Sequence, residues 1–475
     1  MYAQDSKQMR VTLGLVLGLV GLTAAACGGS AGGSASASGE SSTGSGSEGG
    51  GKAVKIPGGP SVSAKAHSQW TEGVKLFKQY DGKGGWNDGK CDEVAGRFTD
   101  AAASQKKFAE ALYMAGLAND RCGRREKAQA LYSQAVQANS KFCKARVAIA
   151  LDHASSGGGN SQAEREFAQA VADDPQCTEG YVNLAIMQRK RGLEGNKDAL
   201  SNLRRALAID AQYLPAFNEM ALLYLSEAAD NTKKLDLAEV VCSQAQKINA
   251  NYAPIYNTWG LIDLRRDKII DASAKFQKSS ELDAKIFEAH MNFARITIGF
   301  RGYQDAKTAY ENALKLQPND FEAQLGLGVA LRGLQENTKA QEAYEKAIKL
   351  QPNRPEPYYN LGVLYQDFMN GTADEMKKAK SFYEQFLSKT GGDKRFASTV
   401  EEIQRKCKQE GKRKQGKNAC VAGRIQNIQL YLDTMKQMAE MEKLQKEQEK
   451  QAADLEAQEK AQQQAAPAAA PEGKK

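Results

Sequence analysis

Apolar residues recur along this chain at helical spacing, in blocks that return every 34 residues. Ala306, Tyr310, Ala313 and Pro318 are followed by Ala340, Tyr344, Ala347 and Pro352, each 34 residues further on. The phrases Leu316-Gln317-Pro318-Asn319 and Leu350-Gln351-Pro352-Asn353 recur in step. An Ala, an aromatic four residues on and an Ala three further place two small side chains and one large one on a single helical face. A neighbouring helix can then approach closely and receive a ring. The proline lies about a turn past the last apolar position, where it ends the helix and starts a turn. The pattern predicts a repeating helix–turn–helix unit.

The same positions continue towards the amino terminus. They read Ala272, Phe276 and Ser279, then Ala238, Cys242 and Ala245, then Ala199, Leu203 and Ala206. Earlier still come Ala163, Phe167 and Ala170, then Ala128, Tyr132 and Ala135. A weaker first unit runs from about Ala66 to Ser104 with Trp70, Phe98 and Ala101, and a last one carries Ala379, Tyr383 and Phe386. First helices show Trp259-Gly260, Leu327-Gly328 and the phrase Tyr358-Tyr359-Asn360-Leu361-Gly362 with Tyr365. The period and these motifs resemble the tetratricopeptide repeat. The resemblance implies an all-α fold, a right-handed superhelical solenoid of about nine units over residues 63–391. It also implies work done by binding other proteins on a concave surface of first helices.

The amino terminus is of another kind. Lys7 and Arg10 precede an apolar run from Val11 to Thr23 and the small residues Ala24-Ala25-Ala26-Cys27. A basic start, a short apolar segment and small residues before a cut site form a secretory leader over 1–26. Small residues before Cys27 resemble the lipobox of bacterial lipoproteins, and the resemblance implies that Cys27 becomes the acylated (palmitate-bearing) first residue. Ala24 stands where that family prefers Leu, and ordinary signal cleavage after Ala26 is the alternative. The lack of Asp after Cys27 leans towards an outer-membrane lipoprotein facing the periplasm. Residues 27–62 are mostly Gly, Ser, Ala and Thr, which bury too little apolar surface to order themselves and read as a flexible tether.

Beyond the repeats, Ile425, Ile428, Leu432 and Met435 keep helical spacing, so 392–438 reads as capping helices around a basic loop. Residues 439–475 are rich in Glu, Gln, Lys and Ala, with prolines at the end, and read as a charged, mostly disordered tail, helical at best in its first part. The chain carries a net charge of +8, and the leader removes only one of these with Lys7, Arg10 and Asp5. Arg405, Lys406, Lys408, Lys412, Arg413, Lys414, Lys417 and Arg424 against the single acid Glu410 account for the remainder. No aromatics are interleaved there, so the patch points to an anionic envelope partner or a solvated loop, and not to nucleic acid.

Eight cysteines in an exported chain leave seven after Cys27. Cys91 with Cys122, Cys143 with Cys177, and Cys407 with Cys420 are candidate disulfides, and Cys242 sits at a core position. No catalytic or metal-ligating constellation is visible. His67, His153 and His290 fall in different units, with no pair at zinc spacing and no Cys-x-x-Cys. No cofactor, small-molecule substrate or enzymatic activity is expected. Asn183, Asn292 and Asn360 precede the Leu-Gly-like pair of their units, and Asn218 and Asn257 lie one position earlier. In tetratricopeptide proteins this region faces the groove, where a carboxamide hydrogen-bonds a ligand backbone. The alternative is that these residues follow the repeat and cap local turns. The whole layout resembles tetratricopeptide lipoproteins of bacterial adventurous gliding-motility complexes, which implies partners among other cell-envelope proteins and a membrane reached through the lipid. Pilus or secretion-system assembly lipoproteins, and modules that bind peptidoglycan or polysaccharide, are the alternatives.

Overall fold

The computed structural model describes residues 53–56, 59–83, 85–155, 160–229, 231–390 and 421–465. Two compact units divide the chain at Leu282 and Asp283. The first holds six helical hairpins: α1 (Ala64–Lys83) with α2 (Asp88–Ala103), α3 (Ala109–Arg121) with α4 (Arg125–Ala138), α5 (Cys143–Ser155) with α6 (Asn160–Asp173), α7 (Thr178–Arg189) with α8 (Leu193–Ile209), α9 (Leu214–Glu227) with α10 (Lys234–Ile248), and α11 (Ala253–Arg265) with α12 (Ile269–Leu282). Among the described residues the second holds three hairpins and a long last helix: α13 (Phe287–Gly299) with α14 (Tyr303–Leu316), α15 (Phe321–Gly333) with α16 (Asn337–Leu350), α17 (Glu356–Asp367) with α18 (Ala373–Thr390), and α19 (Val421–Ala465). The fold is an all-α, tetratricopeptide-like helical solenoid.

Most hairpins close around a ring received by a small residue, with Leu203 and Cys242 in the ring's place in α8 and α10. Tyr132, Phe276, Tyr344 and Tyr383 are at most 2% exposed, and each faces a glycine of its first helix. A methyl group added at Gly328 would lie 2.4 Å from Tyr344, and one at Gly116 equally close to Tyr132. Glycine is therefore required by the close approach, and burying each ring stabilises the hairpin by about 1.5–3 kcal/mol. The turns repeat as strictly as the cores. Gly123, Gly192, Asp267, Arg301 and Gln335 all have φ between 62° and 75° and fall at the same place past the start of their first helix. That left-handed residue lets a later N–H return to the helix, as when Gly302 donates to Thr297 O at 2.9 Å and Glu336 to Leu331 O at 3.0 Å.

First helices also touch the first helices of neighbouring hairpins, α5 with α7, α7 with α9 and α9 with α11 in the first unit, and α13 with α15 and α15 with α17 in the second. They line one face of each unit, and the second helices stand behind them.

Three boundaries differ from the sequence expectation. A short antiparallel hairpin of β1 (Val54–Lys55) and β2 (Ser61–Val62) lies inside the segment assigned to the tether. Ile56 and Val62, both 1% exposed, pack with Ala66, Ala101 and Phe108, so these scattered apolar residues begin the folded part before residue 63. Asp81 to Gly89, whose glycines read in the sequence as a long linker, is shorter as one: α1 runs on to Lys83 and α2 begins at Asp88, with Trp86 packed on Phe77 and Tyr80 and donating to Asp81 at 3.2 Å. At the other end, α19 runs without interruption to Ala465, through much of the segment read as mostly disordered. Glu, Lys, Gln and Ala are strong helix formers, and pairs such as Glu442 with Lys446 at 2.7 Å support the turns.

Candidate interaction surfaces

Polar side chains on the first helices link one hairpin to the next. Arg189, the twelfth residue of α7, donates to Glu219 of α9 at 2.9 Å, and both side chains are under a tenth exposed. Burial pushes the Glu219 carboxyl above its usual range, and the Arg189 charge opposes that shift. Arg332, again the twelfth residue of its helix, donates to the Asn360 Oδ1 of α17 at 3.3 Å. Arg424 on α19 makes the next such link, donating to Gln366 at 2.7 Å and Asp367 at 2.9 Å, with Tyr383 beside them. The first two bonds join neighbouring first helices across their close approach, and Arg424 ties the last helix to α17 and α18. They fix register, since an unpaired partner would be left buried.

The five candidate asparagines separate on this geometry. Asn183 is 1% exposed and Asn292 3%, so neither lies on a surface a ligand can reach. The Nδ2 groups of Asn183 and Asn360 donate back to Glu179 O and Glu356 O of their own helices, at 2.9 and 3.1 Å. Asn218 Oδ1 accepts from Thr258 at 2.7 Å, tying α9 to α11. Asn257 is half-buried on α11. Asn218 and Asn360 thus take part in bonds between first helices, through Thr258 and Arg332, and the Asn183 amide bonds within its own helix. The sequence reading missed Glu219 and Thr258, which occupy the place that carries Asn183, Asn292 and Asn360 in sister units. The shift of Asn218 and Asn257 by one residue was the available signal.

Arg424 is corrected in the same way. Its guanidinium is engaged by α17 and α18, so it belongs to the cap and not to an open basic patch. Arg405, Lys406, Lys408, Lys412, Arg413, Lys414 and Lys417, with Cys407, Cys420 and Cys27, lie outside the described residues.

Disulfides join Cys91 to Cys122 and Cys143 to Cys177, with Cα atoms 6.4 and 5.7 Å apart. The first ties the start of α2 to the end of α3, and the second ties α5 to the residue before α7. Cys242 is a free, buried thiol whose pKa burial raises. His290 is 5% exposed with Nε2 3.0 Å from Ala284 O, and His153 lies between Gln129 and Gln162. Among the described residues no group of three or more His, Cys, Asp or Glu side chains is placed to hold a metal, and no helix is long and apolar enough to cross a membrane.

The tetratricopeptide repeat profile matches residues 109–142, 292–355 and 343–378. The chain thus carries tetratricopeptide repeats in both compact units. Among solved structures, a thermophilic tetratricopeptide protein of Thermus thermophilus is 22% identical, with 40% of this chain and 99% of that one covered and a TM-score of 0.36. Pseudomonas aeruginosa pilF is 19% identical over 48% of this chain and 98% of its own, with a TM-score of 0.38. The human IFIT1 dimer is 14% identical over 77% and 90%, with a TM-score of 0.44. No curated protein matches the sequence.

Proposed function

We propose that this protein is an exported, lipid-anchored scaffold that binds other cell-envelope proteins through its repeats, within a multiprotein machine such as that of gliding motility. The observation that carries the reading is the run of first helices lining one face in each unit, held in register by buried polar links. Tetratricopeptide repeats typically mediate protein–protein interactions, and a face of this kind suits an extended or helical segment. Export is supported by the leader-like stretch of residues 1–26 before Cys27 and by two disulfides, which persist in oxidising compartments. The anchor is an acyl chain on Cys27, and the Gly/Ser-rich tether spaces the repeats about 30 Å from the membrane.

The test is affinity purification of the tagged full chain from gently solubilised envelopes, beside a Cys27→Ser variant, with palmitate labelling of both. The expected result is label on the parent alone, and a reproducible set of inner- and outer-membrane proteins recovered with it. Recovery of glycan, or of the protein by itself, would overturn the scaffold reading. Label on the Cys27→Ser variant would overturn the anchor.

A further inference from the structure

Helix α19 uses two different faces along its length. Near its start, Val421, Ile425, Ile428 and Leu432 pack into the core of the second unit with α17 and α18. From Asp433 to Lys450 every residue is exposed. Yet this projecting part carries its most exposed large apolar side chains on the opposite side: Met438, Met441 and Leu444 are 56, 64 and 58% exposed, and Leu430 just before them is 68% exposed, whereas Tyr431 and Met435, each 39% exposed, lie off this side. At 100° per residue these four span about 120° of the helix, roughly opposite the docked seam.

The charges are sorted around that stripe. Asp433, Glu440 and Glu447 run along one rim, and Glu442 and Glu449 along the other. Lys436, Lys443, Lys446 and Lys450 fall within an arc of about 80° on the back. A helix made only to stay soluble would mix its charges and would not group four large apolar residues in one stripe. We propose that this face docks an amphipathic helix of a protein partner whose apolar stripe is rimmed by Lys and Arg. Two helices in contact run about 8–10 Å apart, so residues flanking each stripe meet across the seam. A basic rim complements Asp433, Glu440, Glu447, Glu442 and Glu449. A second copy of this chain would bring the same acids against them, and an anionic lipid surface would be repelled. The inference extends the scaffold reading to a second surface. Its failure is separable, because substitutions on the exposed part of α19 leave the repeat faces and any partners held there in place.

The experiment uses the full mature chain and two labelled synthetic helices of about three heptads, identical in their Leu stripe, one rimmed by Lys and one by Glu, followed by fluorescence anisotropy. The Lys-rimmed helix is expected to bind about tenfold or more tightly than its Glu-rimmed twin, and to weaken as salt is raised. The mature chain is net positive, so non-specific attraction would favour the Glu-rimmed helix instead. Met441→Glu with Leu444→Glu should abolish binding with circular dichroism and melting unchanged, since both side chains are exposed. Glu440→Lys with Glu447→Lys should reverse the preference between the twins. Equal binding of the two helices, or binding that survives Met441→Glu with Leu444→Glu, would overturn the proposal. So would a dimer in sedimentation, or uptake by phosphatidylglycerol vesicles, that the same double variant removes.

Discussion

Asp263 of α11 stands where a carboxylate is out of place. It is 3% exposed, and burial pushes its pKa from 3.8 to about 6, with Lys275 and Lys268 opposing the shift and Asp271 and Glu239 adding to it. The folded state therefore holds a proton that the unfolded chain has already released between those two values. The stability this contributes is fully present below the unfolded pKa and is lost as pH rises through about 6. Asp263→Asn mimics the protonated form at every pH. Urea unfolding should find it more stable than the parent at pH 7.5 by on the order of 2 kcal/mol, with the gap closing towards pH 4. A variant less stable at pH 7.5 would mean that the charged form is the favoured one. Single residues of this kind were hard to anticipate. The Ala, ring, Ala spacing is local and appears in the sequence directly. The Arg189 to Glu219 link depends on how two helices lie against each other, and its sequence sign is indirect: the one-residue shift of Asn218 leaves Glu219 at the position asparagine holds in sister units.

At the scale of the element, the repeat is written as much in its turns as in its helices. Gly123 and Gly192 hold the left-handed turn position in two hairpins, but Asp267, Arg301 and Gln335 hold it in three others at φ 62°. A residue with a Cβ pays about 1–2 kcal/mol there, partly offset because glycine has more unfolded-state freedom to lose. Gln335→Gly should therefore stabilise the second unit by about 0.5–1 kcal/mol, and Arg301→Gly by a similar amount. The two should add, because they lie in separate hairpins. Thermal melts followed by circular dichroism would read this, and a lower midpoint for either variant would show that the side chain makes a contact worth more than the strain. Helix start and period were legible from the Ala and Pro positions. The left-handed turns were not, since only two of these five positions carry the glycine that signals one. Helix α19 was hidden for the opposite reason: its Glu, Lys and Gln suit an exposed helix and a disordered tail alike, and composition does not separate them.

Across the whole molecule, the tryptophans and, among the described residues, the disulfides fall on one side of the division at Leu282. Both disulfides tie hairpins of the first unit, closing loops of 31 and 34 residues, each constraint worth about 3–4 kcal/mol on loop-closure grounds. All three tryptophans, Trp70, Trp86 and Trp259, lie in that unit as well. Tryptophan fluorescence thus follows the first unit alone, and far-UV circular dichroism follows both. Repeat arrays are held by nearest-neighbour contacts, so two units with separate cores need not unfold together. Reduction with dithiothreitol should move the fluorescence transition to much lower urea and leave part of the dichroism transition where it was. That residual part is the second unit, whose three hairpins and α19 contain no disulfide among the described residues. If both probes instead report one coincident transition that shifts as a whole, the chain unfolds as a single cooperative body and the first unit's disulfides stabilise every repeat. In that case partner binding to either unit would be felt by the other, because the free energy of opening would be shared along the array.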